Sequence, residues 1–185
     1  MTETILEPGL PIIDPHHHLW DWTSRLPFLP AERTHPFEAI LPQTPRYLLD
    51  ELLADCGSGH NVVGTVFVQC GAFYRADGPE ALKPVGETEF VNGVAAMAAS
   101  GTYGPVKACA GIVGNADLTL GDGVAVVLDA HLAAGGGRFR GIRHMMAHDA
   151  DPAVLGPLGH AEPGLAGDPR VHAALRHFAS RGLSL

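Results

Sequence analysis

The sequence predicts an α/β protein in which short parallel strands alternate with amphipathic helices. Three observations carry that expectation. β-rich runs and helix-period runs follow one another along the chain, with no succession of strands alone. The run Val62-Val63-Gly64-Thr65-Val66-Phe67-Val68-Gln69-Cys70 is almost continuously apolar and β-branched, as a strand covered on both faces must be. A length of 185 residues suits one core of ordinary size, so a single domain over 1–185 is expected.

Composition narrows the function classes. With 46% hydrophobic and 17% charged residues and a mean hydropathy of +0.11, the chain is too apolar for wholesale disorder. A formal net charge of -8 with only 12 Lys and Arg argues against a nucleic-acid backbone or an anionic membrane surface as partner. Met1-Thr2-Glu3-Thr4 shows no basic stretch leading into an apolar one, and no run approaches the roughly 18 apolar residues of a membrane span. The expectation is a soluble, cytoplasmic protein. Cys56, Cys70 and Cys109 are odd in number and widely spaced, which fits small buried residues in a reducing compartment.

The first strand is expected at about Pro11 to Asp14, feeding Asp14-Pro15-His16-His17-His18-Leu19-Trp20-Asp21. Alternate residues of extended chain share a side, so His16 and His18 aim at one point while His17 faces the other way. Two imidazoles fixed by one strand form a metal-ligand geometry suited to Zn, Fe, Ni or Mn. The alternative is a strand end whose rings are merely hydrogen-bonded. Trp20 to Pro45 is proline-rich and aromatic without a period, and Trp20, Trp22, Phe28 and Phe37 suggest a packed lid over the histidines.

A helix is expected from Thr44-Pro45 to Gly57 with Leu48, Leu49, Leu52 and Leu53 inward, followed by the strand Val62 to Cys70. The next helix, about Glu87 to Ser100, carries Phe90, Val94 and Met97 as its stripe, and Glu87 and Glu89 read as charges complementing the helix start. Val106 to Val113 reads as a third strand and Asp122 to Ala134 as a helix ended by Gly135-Gly136-Gly137. Those glycines leave a helix and enter a strand, the wrong place for a phosphate cradle, and no nucleotide-binding or serine-hydrolase motif occurs.

The fourth strand, about Arg138 to Arg143, ends in Arg140-Gly141-Ile142-Arg143-His144. With Ile142 against the helices, Arg143 faces the opposite side, where a guanidinium needs an anion. It binds either a substrate carboxylate or an internal Asp or Glu. His144 lies just past the strand, where catalytic groups of such folds collect. A second long loop follows, Met145 to Gly167, with His148, Asp149, Asp151 and His160. Asp168-Pro169 caps a fourth helix with Val171, Leu175 and Phe178 inward and Gly182 as its stop, and Leu183-Ser184-Leu185 opens a fifth strand.

Asp14, His16 and His18, followed by Leu19-Trp20-Asp21, form an Asp-x-His-x-His motif that resembles the amidohydrolase superfamily, most closely its amidohydrolase-2 branch of lactonases and decarboxylases. Gly141-Ile142-Arg143-His144 is similar to that branch as well. The resemblance implies a (β/α)8 barrel of the TIM type, of which this chain holds about the first four strand-helix units. It implies His16 and His18 as ligands of a divalent metal, Zn or Mn, with further ligands on later strands. Some lactonases of this kind are thought to work without a tightly held metal, the histidines then polarising the carbonyl by hydrogen bonding. The implied reaction is metal-assisted hydrolysis of a small carboxylated lactone or ester, with decarboxylation of an unsaturated carboxylic acid as the alternative. Arg143 and Gln69 would bind substrate and His144 would act in catalysis. Four parallel strands alone leave two open edges and an uncovered face, so the chain is expected to be an incomplete gene product, the favoured reading, an aggregating fragment, or a half-barrel that pairs with a second copy or a separate half.

Overall fold

In the computed structural model, residues 4–28, 35–156, 159 and 161–185 are described. Four parallel strands form one sheet in the order β1 (Pro11–His17), β4 (Asn61–Val68), β5 (Lys107–Gly114), β6 (Phe139–Ile142). The crossovers are α2 (Leu49–Cys56), α3 (Val85–Ala99) and α4 (Val124–Ala134), and the short α5 (Pro152–Leu155) and α6 (Pro169–Ala179) follow β6. The α/β class with parallel strands therefore holds. After α6 the chain returns beside β6: Ser184 bridges Gly141 in parallel, its N–H donating to the Arg140 carbonyl and its own carbonyl accepting from Ile142, both at 3.0 Å. This isolated bridge lies where the sequence predicted a fifth strand to open.

One face of the sheet carries the core. Phe67, Ile112, Phe139 and Ile142 pack with Leu52, Val91, Val94, Leu128 and Phe178. On the opposite face Ile13, paired with Gly64, is 66% exposed. Helix α6 begins as expected, with Asp168 accepting from the Arg170 N–H and Pro169 at the first position.

Several boundaries differ. The segment expected to start a helix at Thr44 instead forms β3 (Arg46–Tyr47), antiparallel to β2 (Trp20–Asp21), with Trp20 stacked on Tyr47 at 5.2 Å. This pairing delays α2 to Leu49, where the Glu51 carboxylate accepts from the Leu48 N–H. The expected lid is thus clamped at both ends, and it also contains a 3-10 turn at Thr23–Phe28 and the short α1 (Pro36–Ile40). Residues 29–34 of the lid and His160 lie outside the described residues. In α3 the buried stripe is Val91, Val94, Ala95 and Ala98, while Met97 is exposed. Small alanines let this helix lie close to β5, which turns the longer side chain outward.

Two register slips shape the sheet. In β1, Asp14 pairs with Thr65 and His17 with Phe67, three steps against two. In β5, Lys107 to Gly111 spans four residues against Gly64 to Val66, and Cys109 takes φ +53 within that bulge. Its N–H donates to Thr65 Oγ1 at 3.0 Å instead of to the ladder.

Candidate functional site

The site lies at the C-terminal end of the sheet, where β1, β4 and β6 deliver the histidines and the arginine. His16 and His18 project to one side and bring their Nε2 atoms to 3.2 Å, the rings edge to face with centroids 4.8 Å apart. His17 turns the other way and is buried; its Nε2 lies 2.8 Å from Thr65 Oγ1, and its ring meets Phe67 edge-on. Burial lowers the His17 pKa to about 4. It is a neutral core residue, as strand alternation requires.

His18 is oriented by its other nitrogen. Its Nδ1 lies 2.6 Å from the Val68 carbonyl, so that nitrogen carries the proton, and the Nε2 lone pair accepts from His16 Nε2, the hydrogen-bonded arrangement that the sequence offered as the alternative to a metal pair. Partial burial lowers the His18 pKa despite that bond, with the charge of Arg143 adding to the effect. Both causes favour the neutral, ligating form. Two nitrogens each about 2.1 Å from one cation at a tetrahedral angle would lie roughly 3.4 Å apart, so the separation of this pair suits a shared divalent ion. Among the described residues, no group of three or more His, Cys, Asp and Glu side chains is placed to hold a metal.

Arg143 extends from the end of β6 with its Nη2 donating to the Gln69 carbonyl at 2.5 Å. Among the described residues no carboxylate pairs with it. Among the described residues, the internal ion pair considered from the sequence is not formed, and Nη2 engages a backbone carbonyl instead. Gln69 engages Arg143 through its backbone oxygen. The consecutive carbonyls of Val68 and Gln69 thus hold one imidazole and one guanidinium.

His144 is placed elsewhere. It borders a cleft of about 580 Å3 with Asp117, Thr119, Glu162, Asp168 and Arg170, and its buried Nε2 has no hydrogen-bond partner among the described residues. None of His16, His18, Gln69 and Arg143 lines that cleft. In the loop beyond, His148 Nδ1 bonds the Ala161 carbonyl, while Asp149 and Asp151 accept from backbone N–H groups nearby.

Glu87 lies in the first turn of α3, as expected of a charge at a helix start, but its carboxylate is turned inward. Its side chain is 1% exposed, with Oε1 accepting from the N–H groups of Cys70 and Ala72 at 3.1 and 3.0 Å, and among the described residues the buried Oε2 has no partner. Burial raises its pKa. Glu89 does behave as a surface charge, paired with Arg75. Glu87 secures the turn after β4, in which Phe73 takes φ +57 and stacks on Phe90 at 4.0 Å. Tyr74 follows, and its hydroxyl is held protonated by burial and by the Glu87 carboxylate, with Arg143 opposing. A run of apolar and small residues around Glu87, Pro84-Val85-Gly86 before and Thr88 after, was the sequence signal that it would be buried.

Comparison with known proteins adds little to this geometry. No family model and no solved structure matches the chain. The chain is similar to the uncharacterized protein y4mH of Sinorhizobium fredii, 33% identical over 175 residues, which is 94% of this chain and 52% of the relative. The chain thus spans about half the length of the relative it matches. Among the described residues, no helix is long and apolar enough to cross a membrane.

Proposed function

We propose that this chain supplies the metal-ligand histidines and the carboxylate-binding arginine of an amidohydrolase-type hydrolase, built on a (β/α)8 barrel and acting on a small carboxylated lactone or ester. The observation that carries the reading is the convergence of the His16 and His18 Nε2 atoms at 3.2 Å, with His17 excluded from the site. His16 and His18 would hold a divalent cation, Zn or Mn, which would supply Lewis acidity towards a carbonyl. The guanidinium of Arg143 would fix the substrate carboxylate as a planar fork. The Gln69 amide, on the same strand end, would hydrogen-bond the substrate. His144 borders a separate cleft, so the hydrolytic step is not assigned to it.

The test is an assay of carboxylated lactones and of unsaturated carboxylic acids, using this chain with whatever sequence its gene encodes downstream. Lactone opening that is lost in His16→Ala and His18→Ala and weakened in substrate affinity by Arg143→Met is the expected result. Release of CO2 from the acids without lactone opening would replace hydrolysis by decarboxylation.

A further inference from the structure

Arg143 is held at two points, and both supports lead back to neighbouring residues at the start of α3. The first runs through the turn after β4. Glu87 Oε1 fixes the N–H groups of Cys70 and Ala72, and the same turn presents the Gln69 carbonyl to Arg143 Nη2. The second runs through the helix layer. Thr88 Oγ1 lies 2.8 Å from His131 Nδ1, His131 Nε2 lies 2.9 Å from the Asn115 carbonyl, and Asn115 Nδ2 donates to the Arg143 carbonyl at 2.9 Å.

The direction of every bond in the second line is fixed. A ring nitrogen facing a carbonyl must carry the proton, so His131 Nε2 donates, Nδ1 accepts, and the Thr88 hydroxyl is the donor. Glu87, Thr88 and His131 are each no more than 1% exposed, so water cannot substitute for a missing partner. His131 also stacks flat on Phe139 at 4.8 Å. At Gly114 a Cβ would come within 3.0 Å of the His131 ring and 2.9 Å of the Phe139 ring, so the bare backbone there admits both. Packing alone would be served by an apolar residue at 131; a histidine with both nitrogens engaged transmits orientation.

We propose that Glu87 and Thr88 are positioning residues for Arg143, Glu87 acting through the turn after β4 and Thr88 through His131 and Asn115. The use of Arg143 for a substrate carboxylate rests on the function proposed above; its restraint by these two lines does not.

The experiment is phenylglyoxal labelling of arginines in the full chain, read peptide by peptide. Thr88→Val keeps the shape and removes the hydroxyl, whereas Thr88→Ser keeps the hydroxyl. Labelling of Arg143 is expected to accelerate several-fold in Thr88→Val and to stay at the wild-type rate in Thr88→Ser, with Arg138 and Arg140 unchanged. Glu87→Met should likewise accelerate it, and Glu87→Gln, which retains a carbonyl oxygen, should not. Should Thr88→Val fail to fold, Asn115→Ser removes the last link at a partly exposed position and gives the same comparison. Equal Arg143 rates in these variants and the wild type, or a parallel rise at Arg138 and Arg140, would overturn the proposal. Protection of wild-type Arg143 by malonate is a separate arm. Its absence, with the variant differences intact, would remove the carboxylate role while upholding the positioning.

Discussion

Acidification should destabilise the fold through His131, and the size of the effect follows from its surroundings. The ring is fully buried and its pKa falls from 6.5 to about 4, chiefly by desolvation. Because the folded value lies below the unfolded one, the unfolded state binds more protons between them. His131 therefore contributes stability that is complete above pH 6.5 and is lost as the pH falls through about 4. The slope is about 1.4 kcal/mol per pH unit, so a step from about pH 7.5 to about pH 5 should cost about 2 kcal/mol through this residue alone. His17, lowered to a similar value, adds a second loss of the same sign. Glu87 works oppositely: its raised pKa makes its contribution largest at low pH and lost as pH rises through the folded value. Urea unfolding of the wild type and of His131→Gln, followed by circular dichroism at both pH values, isolates His131 because the other two groups are common to both. The variant should be less stable at neutral pH, and its loss on acidification should be smaller by about 2 kcal/mol. An identical pH dependence in the two proteins would refute the reasoning.

Other consequences are direct. Gly114→Ala places a methyl against the Phe139 and His131 rings and should cost about 1–3 kcal/mol in the same unfolding assay. A cost near zero would mean that the contact relaxes freely. Phe67→Ala empties the middle of the core and should cost about 3–5 kcal/mol. Burial pushes the Cys70 and Cys109 thiols up to about 12, so iodoacetamide at neutral pH should leave both unmodified in the folded chain and label them once urea unfolds it.

The parts of the site that could be read from the sequence are those governed by local periodicity. His16 lies within the slip between Asp14 and His17, and His18 lies just past the end of β1, yet residues two apart in extended chain still share a side. The same rule separated Arg143 from Ile142, whereas His144, expected beside Arg143, borders a different cleft. What escaped depends on contacts distant in sequence. Glu87 at a helix start has the same local signature whether its carboxylate meets solvent or the turn after β4. His131 did sit on an apolar stripe with Val124, Val127 and Leu128, but its partners Thr88 and Asn115 come from other elements. The β2–β3 pair consists of two-residue strands 24 residues or more apart, too short for any period to show. The many apolar residues of α3 also hid which of them point inward, since alanines pack against the sheet while the larger Met97 stays exposed.

The central claim is that His16 and His18, and not His17, form a cation site. Imidazole 15N spectra of the chain, recorded during titration with Zn2+, test it residue by residue. The account predicts that the Nε2 resonances of His16 and His18 shift together as the ion binds, while the His17 resonances stay in place. A shift at His17, or saturation of other histidines with His16 and His18 unmoved, would contradict it.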